Sequence, residues 1–442
     1  VPPSKPSPSS AFPPMAASAA LRRSLAPAPA LLLRRQILVR LLSTQTKPHP
    51  QPATTTSPAE LARIKSTIRS AATAPDDLAA NFLQALPHPA FLGDRPIFSL
   101  AVTRLASAGR RDLVASLLST SLTALPAPHP SEGFLLRLIG LYAQAGMPDH
   151  SLSTFRLVKP PTDRALSALL AAYHDAGQHD RVVKAFPELS AELSIKPGLV
   201  SHNVLLKSMV VMGHVAPARA VFDAMPDRAG VQPDIVSCNE VLRGYLKVGD
   251  FASFDQLLKD VTGGKRRLKP NVTTYNIRMA ALGAKGKSFE AEELLNAMAA
   301  NGVPPNRDSF NTVIWGMCKQ GEAGAAVALL KRMPEVPRPN GGKGVSPNFD
   351  TYKMLLEVLV EKRMFASALE VCKECLANKW TPPFQAVKGL IVGLVKRRKV
   401  KHAKEIGMVM KKVAKGDAKE EWEKVEAAAF QLALAENKAQ AA

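Results

Sequence analysis

Four asparagines recur at a nearly constant interval in the middle of the chain. They stand 35 to 37 residues apart, and a glycine follows each of them ten residues later. A carboxamide both donates and accepts hydrogen bonds. A row of such groups can therefore make the same polar contact repeatedly, although a single asparagine can also simply cap or orient a helix. The series is Asn203, Asn239, Asn276 and Asn311.

A second polar residue closes each of these units. It follows a proline and is always Asp or Asn, which is also an ordinary start signal for the next helix. Four asparagines in register, each with such a closing residue, favour a repeated binding surface over isolated caps. The closing residues are Asp234, Asn271, Asn306 and Asn348.

An interval of this size indicates a repeat protein. After each glycine, apolar residues recur at i, i+3, i+4 and i+7, which predicts an amphipathic second helix in every unit. One helical pair cannot bury such a stripe alone, so neighbouring pairs must stack. The sequence predicts an all-α fold, an α-solenoid of about eight to nine helix–turn–helix repeats. The positions equivalent to the asparagines are Ser99, Leu136, Ser167, Asn203, Asn239, Asn276, Asn311, Lys353 and Lys388.

The same alignment interprets the one apparent metal or redox motif. Cys372 and Cys375 have CxxC spacing, but they occupy the apolar positions held by Phe222 and Met225 in an earlier unit. No second cysteine pair or paired histidine completes a tetrahedral zinc site. We therefore expect core cysteines, no metal, no cofactor, no catalytic residues and no small-molecule substrate. The protein is expected not to be an enzyme.

The chain is strongly basic, with a net charge of +21 among 442 residues. Such a balance favours a polyanionic partner, with a solvated basic face as the alternative. No apolar stretch is long enough for a membrane span. Two basic tracts are predicted to contact phosphates weakly: Lys265, Arg266, Arg267 and Lys269, then Lys396, Arg397, Arg398, Lys399 and Lys401.

The amino-terminal segment has the composition of an organellar transit peptide. Residues 1–59 contain no acidic residue, and arginines alternate with leucines before Ser43. This pattern favours targeting to the mitochondrial matrix over targeting to a plastid or to the secretory pathway. Residues 1–14 precede the first methionine and resemble upstream sequence. We expect upstream residues plus a transit peptide at 1–42 and a disordered leader at 43–59.

The period near 35, the helix–Gly–helix phrase and the closing Pro-Asp or Pro-Asn together resemble the pentatricopeptide repeat family, P-class, over residues 95–420. The tail, from Phe384 to Lys412, resembles the short plant members that associate with the mitochondrial ribosome. The resemblance implies a right-handed solenoid whose first helices line a concave groove that receives one RNA base per unit. It further implies the remaining organisation: a helical cap at 60–94, degenerate units at 95–198, well-formed units at 199–348, degenerate units at 349–417 and a capping helix and tail at 418–442.

The family's base-contacting positions carry over onto this chain. The fifth and last residues of a unit contact the Watson–Crick edge, and an aliphatic second residue packs on the base. The resemblance then assigns uracil to the Asn203–Asp234 pair and cytosine to the pairs Asn239–Asn271 and Asn276–Asn306. Asn311 with Asn348 completes the set, and Val200 and Val236 are the packing residues.

Three functions remain open at this point. The first is binding of single-stranded RNA as a component associated with the mitochondrial ribosome, in contact with ribosomal RNA and ribosomal proteins. The second is a free factor that binds one organellar messenger RNA for its stabilisation, splicing or translation. The third is a protein-binding scaffold of the tetratricopeptide type, which the asparagine series disfavours.

Overall fold

The structure is a computed structural model, and it describes residues 57–124, 130–263, 267–335, 344–413, 420–425, 427 and 431. Val1–Leu61 and Ala62–Ala442 form two separate units. The predicted transit peptide and residues 43–56 of the predicted leader lie outside the described residues, whereas Pro58 and Ala59, at the end of that leader, belong to a helix. Lys265, Arg266 and most of the Gly- and Pro-rich insertion at 337–345 also lie outside the described residues.

The described residues from Pro58 to Val413 form twenty-one α-helices, and no described residue belongs to a β-strand. The first three are α1 (Pro58–Arg69), α2 (Pro75–Ala85) and α3 (Pro89–Leu92). Nine helical pairs follow, and we call them repeats 1 to 9. They are α4 (Arg95–Ser107) and α5 (Arg111–Thr123), α6 (Glu132–Gln144) and α7 (Pro148–Phe155), α8 (Asp163–Asp175) and α9 (His179–Glu192), α10 (Leu199–Val211) and α11 (Val215–Ala224), α12 (Ile235–Val248) and α13 (Phe251–Thr262), α14 (Val272–Ala284) and α15 (Ser288–Ala300), α16 (Arg307–Gln320) and α17 (Ala323–Arg332), α18 (Phe349–Glu361) and α19 (Phe365–Ala377), and α20 (Phe384–Lys396) and α21 (Val400–Val413).

Each first helix packs against its own second helix and against the first helix of the next repeat. The apolar stripe on the second helices forms the core between them. Most of its members are buried, for example Phe254, Leu257 and Val261 on α13. The predicted α-solenoid is confirmed, because stacking of neighbours buries what a single pair would expose.

A left-handed residue ends the first helix of every repeat. In repeats 1 to 7 it is a glycine, such as Gly249 with φ 76° and Gly321 with φ 80°. Glycine adopts this conformation without a Cβ penalty. In repeats 8 and 9 the same position holds Arg363 (φ 57°) and Arg398 (φ 60°).

The last described segment covers the end of the solenoid. Residues 420–425 are helical, Trp422 is 3 % exposed, and its ring lies 4.5 Å from that of Phe384 at the start of α20. The sequence predicts a longer capping helix here, and most of it lies outside the described residues.

Candidate functional site

The fifth residue of a repeat and its closing residue are joined through the next helix. The Oδ1 atom of Asn271 accepts the backbone N–H of Thr274 at 3.0 Å, and the Thr274 hydroxyl accepts the Asn271 N–H at 3.2 Å. This capping box starts α14. The same hydroxyl donates to Oδ1 of Asn239 at 2.9 Å, and the Asn239 amide donates to Oδ1 of Asn271 at 3.2 Å. Helix capping thus fixes the positions of both predicted base-contacting side chains.

This arrangement, which we call the triad, recurs in four successive repeats. In each case a hydroxyl of the next helix donates to the fifth-position asparagine, at 2.6, 2.9, 2.7 and 2.7 Å. The predicted pairs are therefore brought together, including the last pair, whose repeat contains the insertion. The triads are Asn203–Asp234–Ser237, Asn239–Asn271–Thr274, Asn276–Asn306–Ser309 and Asn311–Asn348–Thr351.

Capping also determines which atom each closing residue presents to a ligand. One oxygen of Asp234 accepts the Ser237 N–H at 2.9 Å, which leaves its second oxygen as an acceptor. Asn306 uses its single carboxamide oxygen in the same way, so its Nδ2 group is left as a donor. The triads therefore offer opposite hydrogen-bonding character depending on whether the closing residue is Asp or Asn.

The fourth triad differs at this outward atom. The Nδ2 group of Asn348 donates to the Asp350 carboxylate at 3.3 Å, so its donor is already engaged. Asp350 stands at the second position of repeat 8, and Asp308 stands at that position in repeat 7. Both stand where repeats 4 and 5 have an aliphatic residue, so this end of the surface lacks an apolar packing residue at the second position.

The second-position residues of repeats 4 and 5 are unusually exposed for aliphatic side chains. Val200 is 60 % exposed and Val236 is 43 % exposed. By contrast Asn239 is only 2 % exposed, whereas Asn203 and Asn276 are half-buried. Repeat 5 therefore presents mainly Val236 and Asn271 to a ligand.

The flanking repeats lack the triad in the part of the chain that the structure describes. In repeat 3, Asp163 accepts the Gly198 N–H at 2.8 Å and so takes over the start of α10, while Ser167 bonds back to the Arg164 carbonyl. Lys353 and Lys388 are exposed at the fifth positions of repeats 8 and 9. These repeats offer charge rather than a paired amide.

Sequence reasoning overlooked three exposed side chains one turn beyond the asparagines. Residues i and i+4 share a helical face, so Lys207, Arg243 and Trp315 lie on the same stripes as Asn203, Asn239 and Asn311. Trp315 is 41 % exposed, and the amine of Lys319 lies 5.6 Å from its ring. The spacing from each asparagine was the signal that could have found them. We call the surface formed by the second, fifth and ninth positions of α10, α12, α14 and α16 the candidate groove: Val200, Asn203, Lys207, Val236, Asn239, Arg243, Thr273, Asn276, Ala280, Asp308, Asn311 and Trp315.

One acidic side chain is buried beside this groove. Glu240 is 8 % exposed on α12, and its carboxylate lies 3.4 Å from the Arg243 guanidinium. Burial raises the pKa of Glu240, and the nearby Arg243 and Lys207 partly oppose that shift. The two cations that face the groove thus also help to keep a buried carboxylate charged.

The predicted basic residues separate into two groups. Arg267 and Lys269 lie in the connection before α14, whereas Lys396, Arg397, Arg398, Lys399 and Lys401 surround the turn between α20 and α21. The second tract is exposed, and it lies at the turn rather than on the first-helix stripe.

The CxxC pair lies in the core. Cys372 and Cys375 are both fully buried, and burial raises the pKa of each thiol to about 12. Thiolate is the form that binds metal or attacks a disulfide. Among the described residues, no group of three His, Cys, Asp or Glu side chains is placed to hold a metal ion.

None of the described helices is long and apolar enough to cross a membrane.

Comparison with known proteins identifies the family of the central repeats. Residues 220–285 match the pentatricopeptide repeat domain, residues 270–319 the PPR repeat family and residues 308–336 the PPR repeat. Together with the solenoid and its four triads, these matches define an α-helical repeat protein. Residues 220–336 of the chain therefore carry pentatricopeptide repeats.

Two relatives from Arabidopsis thaliana match over most of their length. The small ribosomal subunit protein mL103 (rPPR7) is 25 % identical over 84 % of this chain and 90 % of its own. A mitochondrial pentatricopeptide repeat-containing protein is 26 % identical over 76 % of this chain and 77 % of its own.

Among solved structures, the maize pentatricopeptide repeat protein PPR10 has the same fold. It superposes with a TM-score of 0.52 at 20 % identity and covers 82 % of this chain. The matched region corresponds to 49 % of the maize protein, so the chain spans about half the length of that solenoid.

Proposed function

We propose that this chain binds single-stranded RNA along the candidate groove, in mitochondria and in association with the mitochondrial ribosome. The observation that carries the proposal is the recurrence of the triad in four successive repeats. A cap alone needs the closing residue and the hydroxyl. The additional asparagine, fixed by that hydroxyl, is not needed to start a helix, and it adds a polar group facing the groove.

The outward atoms give each triad a chemical preference. The free oxygen of Asp234 suits a base that donates from its ring nitrogen, as uracil does at N3. The free Nδ2 groups of Asn271 and Asn306 suit a base that accepts there, as cytosine does. We propose that Val200 and Val236 pack on the faces of the bound bases, in keeping with their exposure.

Few contacts of this kind give modest affinity. A stacked base contributes on the order of 1–3 kcal/mol, and only three triads have a free outward atom. We propose that Lys207 and Arg243 in the groove, together with the predicted basic tracts, add phosphate contacts that salt weakens. The chain is proposed to act by binding alone, with no catalytic group.

Similarity to mL103, the relative matched over 90 % of its length, supports the ribosomal part of the proposal. A mitochondrial matrix location is supported by the composition of residues 1–59, which we interpret as upstream residues plus a transit peptide at 1–42 and a leader at 43–59. A subunit that clamps ribosomal RNA needs few base contacts, and the +21 net charge suits such a partner.

The test is sedimentation and crosslinking of the full-length, epitope-tagged chain in isolated mitochondria. We expect co-sedimentation with one ribosomal subunit, loss of co-sedimentation when magnesium is chelated, and ultraviolet crosslinks to ribosomal RNA. Recovery of crosslinked RNA in ribosome-free fractions only would contradict the ribosomal role. Absence of any crosslinked RNA would contradict RNA binding and favour a protein-binding scaffold.

A free transcript-binding factor is the second candidate. It is supported by the similarity to the mitochondrial relative, whose name carries no ribosomal role. In that case crosslinks concentrate on one messenger RNA, and the pyrimidine order at the crosslinked site follows the order of the triads.

A further inference from the structure

A cleft lies between repeats 8 and 9, beyond the repeats that form the candidate groove. It has a volume of about 340 Å³, and three cationic side chains line it: Arg363, Lys396 and Arg397. All three are exposed, and one carboxylate, Glu361, lies at the same cleft. Among the described residues, these three cations make no ion pair.

The cleft depends on two glycines and an aromatic ring. A Cβ atom on Gly393 would overlap the Phe365 ring, and one on Gly389 would come within 2.6 Å of Val360. The Arg397 guanidinium lies 5.3 Å from the centre of the Phe365 ring, within the range of a cation–π contact. The geometry therefore holds Arg397 over a ring of α19 that packs against Gly393 in α20, the first helix of repeat 9.

The backbone at Arg363 is the second, independent observation. Its φ of 57° is left-handed, and glycine occupies the equivalent position in repeats 1 to 7. A bulky side chain in this conformation costs backbone free energy. Arg398 repeats the same substitution one unit later, with φ 60°. Two successive repeats thus have arginine at a position that favours glycine, which indicates that these arginine side chains have a function.

The cations extend along the edge formed by the turns between first and second helices. The Lys362 amine lies 2.9 Å from where a Cβ atom of Gly321 would stand, so it reaches the turn of repeat 7. Arg363 stands at the turn of repeat 8, and Lys396 and Arg397 stand at that of repeat 9. Charges spaced by one repeat suit a polymer of anions better than a single one.

We propose that this cleft and turn edge bind the phosphodiester backbone of RNA beyond the repeats that form the candidate groove, without selecting bases. The guanidinium forks of Arg363 and Arg397 match phosphate oxygens in geometry, and Lys396 adds a point charge. Because single strands and duplexes both carry phosphates, such a site accepts a double-stranded RNA segment as well as a single strand. This inference rests on the proposed RNA binding and adds to it a second contact surface.

The decisive variant is Arg363→Gly, which removes the charge and restores the residue that the turn favours. The matched control is Lys379→Gly. Lys379 is also exposed and left-handed, with φ 62°, but it follows the second helix of repeat 8 and does not line the cleft. Both variants lose one positive charge and relieve one left-handed residue, so they differ in the place and the type of the lost cation.

The probe is a short RNA duplex, which offers phosphates and no unstacked bases, titrated against the full chain at several salt concentrations. We expect Arg363→Gly to lower duplex affinity about tenfold at low salt. We expect the slope of log affinity against log salt to fall by about 0.9, whereas Lys379→Gly stays within about twofold of wild type. Adding Lys396→Gln and Arg397→Gln lowers affinity and slope further.

Other outcomes separate the possible errors. Equal duplex affinity for Arg363→Gly and Lys379→Gly would contradict phosphate binding in the cleft. It would leave the proposed binding of single-stranded RNA in the groove unaffected. A wild-type chain that binds neither RNA contradicts the proposed function itself. A lower melting temperature for Arg363→Gly with unchanged duplex affinity means that the arginine serves the helix terminus instead. Competition by polyglutamate that depends on Arg363, without duplex binding, identifies an acidic protein as the ligand and overturns the RNA assignment.

Discussion

The Thr274 hydroxyl donates to Oδ1 of Asn239 across 2.9 Å, although 35 residues separate the two in the chain. Thr274 belongs to the capping box that starts α14, and Asn239 lies on the first helix of the preceding repeat. The contact therefore couples the start of one repeat to the predicted base-contacting residue of its neighbour. Under the proposed function, the same hydroxyl supports both the helix cap and the residue that selects a base.

Thr274→Val tests this coupling, because valine keeps the shape and removes the hydroxyl. We expect a loss of about 1–2 kcal/mol in unfolding free energy, since the Asn271 N–H loses its capping partner. We also expect weaker discrimination at the base assigned to Asn239. Urea unfolding and binding to single-base RNA variants measure the two effects. Thr274→Ser keeps the hydroxyl and should behave like wild type, and a stability loss without any change in discrimination would show that the coupling has no role in binding.

Asn271→Asp changes the outward atom and leaves the cap intact. Asn and Asp are about equally good at an N-cap, so the unfolding free energy should change little. The free Nδ2 donor becomes an oxygen acceptor, which reproduces the arrangement of Asp234 one repeat earlier. We expect the preference at this one base to change from cytosine to uracil in a selection from randomised RNA. Asp234→Asn should cause the reverse change one base away, and identical selected sequences would contradict the assignment.

The sequence period was sufficient to predict the fold and the pairs. It located the turn glycines, the buried stripe of the second helices and the fifth and closing residues. It also placed Cys372 and Cys375 correctly in the core. These features repeat, so every repeat supports the same interpretation.

Contacts between repeats could not be predicted in the same way. The role of Thr274 depends on the stacking of α12 on α14, and the engagement of Asn348 depends on a side chain from repeat 8. Arg363 and Lys396 are 33 residues apart in the sequence, and both line the cleft because the turns of repeats 8 and 9 are neighbours. A period describes equivalent positions, whereas these contacts join positions that are not equivalent.

Trp315 gives a prediction about stacking in the groove. It is exposed one turn beyond Asn311, where repeat 7 has Asp308 in place of an aliphatic packing residue. We expect Trp315→Ala to weaken single-stranded RNA binding by about 1–3 kcal/mol, with most of the affinity retained by Trp315→Phe. Phe289→Ala is the control, because Phe289 is 55 % exposed on a second helix. Equal effects at the two positions would remove Trp315 from the binding surface.

We expect the difference in unfolding free energy between Glu240→Gln and the wild type to depend on pH. Burial raises the pKa of Glu240, so the folded protein holds this proton more firmly than the unfolded chain does. Wild-type stability from this group is therefore present at low pH and falls as pH rises through the raised pKa. Glutamine removes that loss, so the variant should be more stable than wild type at neutral pH. The difference should shrink on acidification towards the ordinary pKa of glutamate.

Urea unfolding at neutral and acidic pH measures this difference. Glu357→Gln, at an exposed position on α18, is the control and should show little effect. A destabilised Glu240→Gln at neutral pH would mean that the contact with Arg243 outweighs the cost of burial.

Gly393→Ala tests the packing that supports the cleft between repeats 8 and 9. The added Cβ would overlap the Phe365 ring, and accommodating it should cost about 1–3 kcal/mol of unfolding free energy. Displacement of that ring also moves the surface on which Arg397 rests, so duplex RNA affinity should fall even though no charge is lost. Gly140→Ala on α6 is the matched control, since nothing lies within 4 Å of its Cβ position and alanine should stabilise the helix by about 0.5–1 kcal/mol. If Gly393→Ala lowers stability but leaves duplex affinity unchanged, the ring supports the core alone and Arg397 binds phosphate without it.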